Sequence, residues 1–383
     1  MPNNAIEVKL LSDKGPTLGN HARLLLLARR CPITQFGGEG EDGCYEPHTT
    51  TARSKWSANR HMRAITYTEY GAPDVLQLAE VAKPTPNEDQ VLVRIHAASV
   101  NPLDWHFMRG TPYLIRVQSG LRRPKAARLG VDVAGQVEAV GKNVTRFQPG
   151  DEVFGACKGA FAEYGCAAER ALVLKPASVT FEQAATVPVA ALTALQGLRD
   201  KGQIQPGQKT LINGASGGVG TFALQIAKVL GAEVTGVCST RNVNMVRSVG
   251  ADHVVDYTQE DFTKSGQRYD LILDAIGNHS LTDTRHALTT KGTLVLVGGP
   301  DNGHWLGPLT GVLRVVVSSW FTSQKLRPFL AHLGKDDLMV MRGFLEDGKV
   351  TPVIDRSYLL SDVPEAIRYL EEGHARGKVV ITM

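Results

Sequence analysis

The chain has 383 residues, 43% of them hydrophobic and 21% charged, with a formal net charge of +4. This length favours two domains over one, and the small charge gives no reason to expect binding to nucleic acid. The longest apolar stretch, residues 308–321, is interrupted by Arg314 and too short to span a bilayer, so we expect no membrane span. The five cysteines lack the paired spacing of a structural zinc site, which favours reduced thiols and a cytoplasmic protein.

Residues 1–61 show no sustained hydrophobic period and carry a glycine- and acid-rich cluster at 36–43. The pattern predicts a poorly ordered extension, with strand-like sequence beginning near Met62. From there to about Lys175, short apolar strands alternate with glycine turns, which predicts a compact antiparallel barrel-like domain. Residues 181–198 then have a helical pattern in which Pro188 predicts a break or kink.

Residues 209–237 have the order of a βαβ unit, with a glycine turn at 214–220 between the first strand and the helix. A helix that opens from a tight turn leaves its first N–H groups unpaired and attracts negative charge, so this turn predicts a pyrophosphate site. Gly214, Gly217 and Gly220 would allow the turn, the approach of phosphate, and the packing of helix on strand. The alternative is a glycine-rich turn without a ligand.

The end of the second strand indicates which dinucleotide is bound. Sites that prefer NAD carry an acidic residue there for the ribose 2′-hydroxyl, whereas this chain has Cys238-Ser239-Thr240-Arg241. Hydroxyls beside a guanidinium suit a 2′-phosphate, so we predict NADPH as the cofactor. The alternative is that Arg241 is a solvated residue at the start of the next helix.

Three further apolar strands, at 253–257, 270–274 and 293–297, alternate with helical segments. Runs that are apolar on both faces predict a parallel, doubly wound α/β sheet of the Rossmann type. After about Gln324 a helix and strands return, and the tail at 378–383 is expected to rejoin the first domain.

Several motifs follow one another between Met62 and Met383: the segments 98–104, 130–135, 140–141, 149–155, 159–164, 188–194 and the glycine turn. In this order they resemble those of the medium-chain dehydrogenase/reductase superfamily, in its zinc-independent, zeta-crystallin-like quinone oxidoreductase branch. The resemblance implies a Rossmann domain inserted in a GroES-like β-barrel catalytic domain. We therefore expect an extension at 1–61, the catalytic domain at 62–187, the NADP-binding domain at 188–324 and the catalytic return segment at 325–383. A homodimer is also usual among proteins of this kind.

The resemblance further implies a role for individual residues. Asn101 and Thr193 would line the nicotinamide. The pyrophosphate would lie on Gly214, Ser216, Gly217, Gly218, Val219 and Gly220. Ser239, Arg241 and Tyr257 would surround the adenosine phosphate, while Val297, Gly298 and Lys378 would complete the pocket.

The positions of the zinc ligands indicate the chemistry. Zinc-dependent relatives carry a cysteine where this chain has Asn101, and Gly-His-Glu where it has Gly130-Val131-Asp132, so we predict no metal. Without a Lewis acid, an activated acceptor such as a quinone or an α,β-unsaturated carbonyl is the expected substrate. Asn101 would orient the carbonyl or the nicotinamide ribose. Tyr113 is the candidate hydroxyl for protonation, and the alternative is that it is a packing residue.

Two other functions stay open at this point. The chain could reduce other carbonyls, as alcohol dehydrogenases do in reverse, or it could bind NADPH without catalysis. Trp305, Trp320 and Phe321 could form an aromatic substrate mouth, a dimer contact or ordinary core.

Overall fold

The computed structural model describes residues 60–297 and 323–383. The predicted extension up to residue 59 lies outside the described residues. So do Gly298, Trp305, Trp320 and Phe321.

The described chain forms strands and helices as follows. The strands are β1 (His61–Thr66), β2 (Gln77–Ala82), β3 (Gln90–Val100), β4 (Asp132–Val140), β5 (Glu152–Ala156), β6 (Tyr164–Ala168), β7 (Leu172–Leu174), β8 (Lys209–Asn213), β9 (Glu233–Cys238), β10 (His253–Asp256), β11 (Tyr269–Asp274), β12 (Leu288–Leu296), β13 (Lys325–Pro328), β14 (Ile354–Leu359) and β15 (Lys378–Thr382). The helices are α1 (Pro102–Arg109), α2 (Leu114–Ser119), α3 (Phe181–Ala185), α4 (Pro188–Gln196), α5 (Gly218–Val229), α6 (Val243–Ser248), α7 (Leu281–His286), α8 (Lys335–Glu346) and α9 (Val363–Glu371). None of these helices is long and apolar enough to cross a bilayer.

Strands from both ends of the described chain build one seven-stranded sheet. Its order is β14-β15-β3-β4-β5-β7, with β6 also paired to β3, and every pairing except β14 with β15 is antiparallel. The last strand lies against the long strand β3, where Val379 faces Val100. The tail therefore rejoins the first part of the chain, as the sequence predicts.

The second large sheet has six strands in the order β10-β9-β8-β11-β12-β13, and all of its pairings are parallel. This is the doubly wound order of dinucleotide-binding domains, whose strand order reverses between β8 and β11. The predicted fold class is confirmed. Strand β13 pairs with this sheet although it begins one residue after the expected boundary at 324, and the domain boundaries stay predictions.

Helix α4 lies where the two sheets come together. It begins at Pro188, after the break that separates it from α3, and eight of its nine residues are buried. It packs against α5 and against strands β4 and β5. A single hydrophobic core joins barrel residues such as Phe154 to Rossmann residues such as Leu273, which fixes the position of the glycine turn relative to the barrel.

Candidate active site

The glycine turn has the shape of a phosphate cradle. Gly214 has φ +84°, and a Cβ on Gly220 would come within 2.1 Å of the Gly214 carbonyl oxygen, so both positions require glycine. At Gly217, by contrast, the nearest atom to an added Cβ is 3.5 Å away. Helix α5 starts here without a side-chain cap. Its first N–H groups and this open space fit the pyrophosphate of a dinucleotide.

Asn213 and Asp274 form a hydrogen bond between the ends of β8 and β11, the two strands at which the strand order reverses. The Asn213 amide at the end of β8 donates to Asp274 Oδ1 at the end of β11, over 2.8 Å. The same carboxylate oxygen accepts the backbone N–H of Gly277 at 2.8 Å. These bonds fix the loop after β11, and a Cβ on Gly214 would lie 2.8 Å from the Ile276 side chain. The crevice at this point is where doubly wound sheets bind their ligands.

Asn242, which was not among the predicted residues, brings two of them together. It is 4% exposed, and its Nδ2 donates to Ser216 Oγ at 3.1 Å and to Ser239 Oγ at 3.2 Å. Its Oδ1 is buried and has no hydrogen-bond partner among the described residues. An unpaired buried acceptor costs stability unless a ligand supplies a donor, so this corner suits the hydroxyl groups of a bound nucleotide.

Arg241 and Tyr257 lie at the exposed end of β9 and β10. The Arg241 guanidinium donates to the His374 carbonyl at 3.1 Å, and Tyr257 is 55% exposed. The nearby Asp256 accepts the hydroxyls of Thr240 and Thr258 at 2.6 and 2.8 Å, and the Thr240 bond lowers its pKa. The Asp256 carboxylate is thus already bound by two hydroxyl groups, whereas the Arg241 guanidinium bonds to a backbone carbonyl.

On the barrel side, five polar residues form a buried group that we call the barrel cluster: Ser99, Asn101, Asp104, Asp132 and Lys378. Each is at most 3% exposed. Asp132 is its centre, since its Oδ2 accepts from Ser99 Oγ at 2.7 Å and Asn101 Nδ2 at 2.8 Å. Its Oδ1 accepts the backbone N–H of Val189, the second residue of α4, at 3.0 Å. The cluster therefore ties the barrel to the helix that carries Thr193.

Lys378 joins the barrel cluster to the glycine turn. Its Nζ donates to Asn101 Oδ1 at 2.6 Å and to the Val100 carbonyl at 3.1 Å, and lies 3.4 Å from Asp132 Oδ2. A Cβ on Gly218 would lie 2.9 Å from the Lys378 Cδ, so the stem of this side chain runs along the start of α5. Burial lowers the Lys378 pKa, while Asp132 opposes that shift. Its ammonium is directed into the barrel, not toward the phosphate cradle.

Asp104 holds the loop that carries Asn101. Its carboxylate accepts the Asn101 N–H at 2.8 Å and the Gly130 N–H at 3.2 Å, which links the starts of α1 and β4. Burial raises the pKa of Asp104 to about 7. Asp104 therefore holds the loop of Asn101 close to the start of β4, the strand that carries Asp132.

The remaining predicted residues lie around these groups. The Thr193 hydroxyl donates to the Val189 carbonyl within α4 at 2.7 Å. Tyr113 stands at the start of α2, where the Arg116 guanidinium is 4.7 Å from its ring centre. Val297 is half-buried after β12, with its N–H bonded to the Asp274 carbonyl at 2.9 Å. Of the set, Asn101 and Lys378 meet directly, and Ser216 and Ser239 meet through Asn242.

The barrel cluster does not fit zinc. The Asn101 oxygen and the Asp132 carboxylate are occupied by an ammonium, and neither thiolate nor imidazole belongs to the cluster. Within residues 60–297 and 323–383 no group of three or more His, Cys, Asp or Glu side chains is placed to hold a metal. The phosphate cradle and the unpaired Asn242 oxygen, in contrast, fit a nicotinamide dinucleotide.

Comparison with known proteins finds that this chain is similar to dehydrogenases and oxidoreductases. Residues 87–177 match the model of the alcohol dehydrogenase GroES-like domain, and residues 249–381 match a model described as zinc-binding dehydrogenase. The chloroplast envelope quinone oxidoreductase homolog of Arabidopsis thaliana is 32% identical, over 85% of this chain and 99% of that protein. The chloroplastic NADPH-dependent alkenal/one oxidoreductase of the same plant is 34% identical, over 85% of this chain and 80% of that protein.

Among solved structures, the quinone oxidoreductase from Coxiella burnetii superposes with a TM-score of 0.75 at 29% identity, covering 84% of this chain and 99% of that one. Such relatives imply an oxidoreductase with a nicotinamide cofactor and a small-molecule substrate. The chain belongs to the medium-chain dehydrogenase/reductase superfamily, in its zinc-independent, quinone oxidoreductase-like branch.

Proposed function

We propose that this protein is an NADPH-dependent reductase that delivers hydride to a quinone or an α,β-unsaturated carbonyl without a metal. The observation that carries the proposal is the position of Lys378, which connects Asn101 in the barrel to the start of α5 at the phosphate cradle. A dinucleotide whose pyrophosphate lies on that cradle would extend its nicotinamide toward Asn101. The relatives named for quinone and alkenal/one reduction support the same acceptor classes.

NADPH is preferred over NADH in this proposal because of the charges at the adenosine end. Ser239 and Arg241 offer a hydroxyl and a guanidinium to a 2′-phosphate, and Tyr257 lies beside them at the end of β10. Both oxygens of Asp256 accept hydrogen bonds from threonines, so this carboxylate is not placed to select a 2′-hydroxyl.

The barrel residues Lys378, Asp132 and Asn101 would act by orienting the cofactor. The bound cofactor supplies the hydride. Lys378 and Asp132 fix both ends of the Asn101 amide, which leaves one lone pair of Asn101 Oδ1 to orient a ribose hydroxyl. Hydride addition to the acceptor leaves an enolate or a quinol anion, which takes its proton from water or from a hydroxyl such as that of Tyr113. Thr193, Val297 and Gly298 would complete the nicotinamide pocket.

The assay that tests this function follows the loss of NADPH absorbance with a panel of quinones, enones and simple ketones. The expected result is oxidation of NADPH with quinones or enones and little with unactivated ketones. Preference for unactivated carbonyls would instead identify a carbonyl reductase of another kind. Saturable NADPH binding with no oxidation by any acceptor would identify a non-catalytic binding protein.

We further propose a cytoplasmic homodimer. The described cysteines Cys157, Cys166 and Cys238 are free thiols, which is the usual state in a reducing compartment. The dimer rests on the family resemblance. Light scattering on the full chain gives the mass, and cell fractionation gives the location; a monomeric mass or an organellar fraction would contradict the respective proposal.

A further inference from the structure

The segment between α1 and β4 is rich in basic residues. From Trp105 to Val131 the sequence has six Lys or Arg and neither Asp nor Glu. Three of the six are bonded within the protein or partly buried. Arg109 pairs with Glu371, Arg116 donates to the carbonyl of Gly110 at 2.9 Å, and Arg128 is half-buried.

The other three, Arg122, Arg123 and Lys125, are exposed. None of them forms an ion pair with a carboxylate in the parts of the chain that the structure describes. Unpaired cations close together on one turn produce a local positive field despite the small net charge of the chain.

Two aliphatic side chains accompany these cations. Val117 is 66% exposed and Leu121 is 72% exposed, and Leu121 directly precedes the two arginines. Single exposed aliphatic residues are common on protein surfaces. Here, however, they share a short segment with three exposed cations, which is the composition of surfaces that enter the headgroup region of a membrane.

The segment is a fixed turn. The Tyr70 hydroxyl donates to the Gly120 carbonyl at 2.6 Å, and the Lys125 N–H donates to the Ser119 carbonyl at 2.7 Å. Gly120 has φ +121°, and a Cβ there would lie 2.1 Å from the Arg123 carbonyl oxygen. The backbone that carries Leu121 and the three cations is therefore held in place, directly after the last turn of α2, which carries Val117.

We propose that this basic turn, residues 117–125, docks the protein on an anionic phospholipid surface. Phosphate headgroups complement the three cations, and the acyl boundary accepts Val117 and Leu121. An acidic protein partner would pair with the cations but would leave the two aliphatic groups without a role. The segment that contains the basic turn leaves the barrel after α1 and returns at Gly130, whose N–H donates to Asp104 of the barrel cluster. Docking would thus place the proposed active site beside a store of lipid-soluble acceptors.

The docking itself does not depend on the proposed function, whereas the link to lipid-soluble acceptors rests on it. Flotation of the full chain with vesicles tests the docking. Vesicles of phosphatidylcholine mixed with phosphatidylserine are expected to bind the protein, and vesicles of phosphatidylcholine alone are not. The triple variant Arg122→Gln, Arg123→Gln and Lys125→Gln should lower the partition coefficient roughly 100-fold, since each cation near an anionic surface contributes a factor of about five.

A matched control removes the same charge elsewhere. Lys142, Lys264 and Lys349 are exposed and each pairs with a carboxylate, so their replacement by glutamine should leave flotation close to wild type. The pair Val117→Ser and Leu121→Ser keeps every charge and should weaken binding by about tenfold. These side chains are exposed, so an unchanged melting temperature shows that each variant is folded.

Several results would overturn the proposal. They are equal losses in the two triple variants, equal binding to vesicles with and without phosphatidylserine, or binding to polyglutamate but not to vesicles. Turnover with a water-soluble quinone should be unchanged in the Arg122/Arg123/Lys125 variant and should fall only when the quinone is supplied in vesicles. A failure of the proposed function appears separately, as wild-type protein that floats but oxidises no NADPH.

Discussion

The barrel cluster and the nucleotide end of the cleft contrast in how they treat their polar groups. In the barrel cluster, Asp132 and the Lys378 ammonium are each bound by several partners inside the protein. At the nucleotide end, the part of the chain that the structure describes provides no side-chain cap for the first turn of α5 and no partner for the buried Asn242 Oδ1. One region is complete before any ligand arrives, and the other is completed by a ligand. The barrel cluster should therefore control the geometry of the reacting groups, and the nucleotide end should control the affinity for the cofactor.

The largest effect is expected from breaking the barrel cluster. Lys378→Met leaves Asp132 buried without its cation and should lower the free energy of unfolding by about 3–5 kcal/mol. The double variant Lys378→Met with Asp132→Asn removes both members of this buried ion pair and should recover much of that stability. Turnover should remain at least about 100-fold low in the double variant, because Asn101 is no longer oriented. Chemical denaturation and NADPH turnover measure the two quantities.

The ion pair of Lys142 with Glu88 serves as the control for that experiment, since the two side chains are 68% and 60% exposed. Lys142→Gln should cost about 1 kcal/mol or less and leave turnover unchanged. A double variant at 378 and 132 that regains full turnover would show that the cluster only holds the fold together.

The next effect comes from filling the phosphate cradle. Gly220→Ala places a methyl group against the Gly214 carbonyl, so we expect a loss of about 1–3 kcal/mol in unfolding free energy and NADPH affinity weakened at least about tenfold. Gly343→Ala on α8 is the control. No atom lies within 4 Å of its added Cβ, so it should raise stability by up to about 1 kcal/mol. NADPH titration and thermal melts compare the pair, and unchanged affinity in Gly220→Ala would remove the turn from the cofactor site.

A smaller and more selective change is expected at Arg241. Arg241→Gln should lower kcat/KM for NADPH by about 10- to 100-fold and change the value for NADH little, since only NADPH carries the 2′-phosphate. Arg247→Gln, at an exposed position of α6, is the control. Steady-state kinetics with both cofactors decide the matter. Equal losses for the two would mean that Arg241 acts through its bond to His374.

The smallest effect concerns the charge of Asp104. Burial raises its pKa to about 7, so the folded state binds this proton more tightly than the unfolded state does. Stability from this group is fully present at low pH and is lost as the pH rises toward the folded pKa. Between about pH 6 and about pH 8 it should therefore fall by about 1 kcal/mol, and this component should be absent in Asp104→Asn. Matched denaturation curves at both pH values test the difference, and parallel curves for the two proteins would contradict it.

Local sequence pattern was enough to predict the Rossmann sheet and its glycine turn. Strand, turn and helix follow one another within residues 209–229, and the glycine spacing carries its own steric reason. Pro188 likewise marks the start of α4 without any knowledge of the rest of the chain. The return of the tail to the first domain was expected from the sequence, whereas its pairing with β3 was not.

The centre of the barrel cluster could not be predicted in the same way. Asp132 meets Val189 and Lys378, which lie 57 and 246 residues away along the chain, so no short window contains the set. A clue was present, since Asp132 is an acidic residue at the start of a largely buried strand, where a carboxylate needs partners. Asn242 gave no such signal, because an asparagine near a helix start is usually only a capping residue.

The proposed function requires that a phosphorylated nicotinamide dinucleotide binds between the glycine turn and the barrel cluster. Calorimetric titration of the purified full chain with NADPH and with NADH tests it most directly. We predict saturable binding, tighter for NADPH than for NADH and weakened by Gly220→Ala. Absence of saturable binding for both dinucleotides would contradict the account.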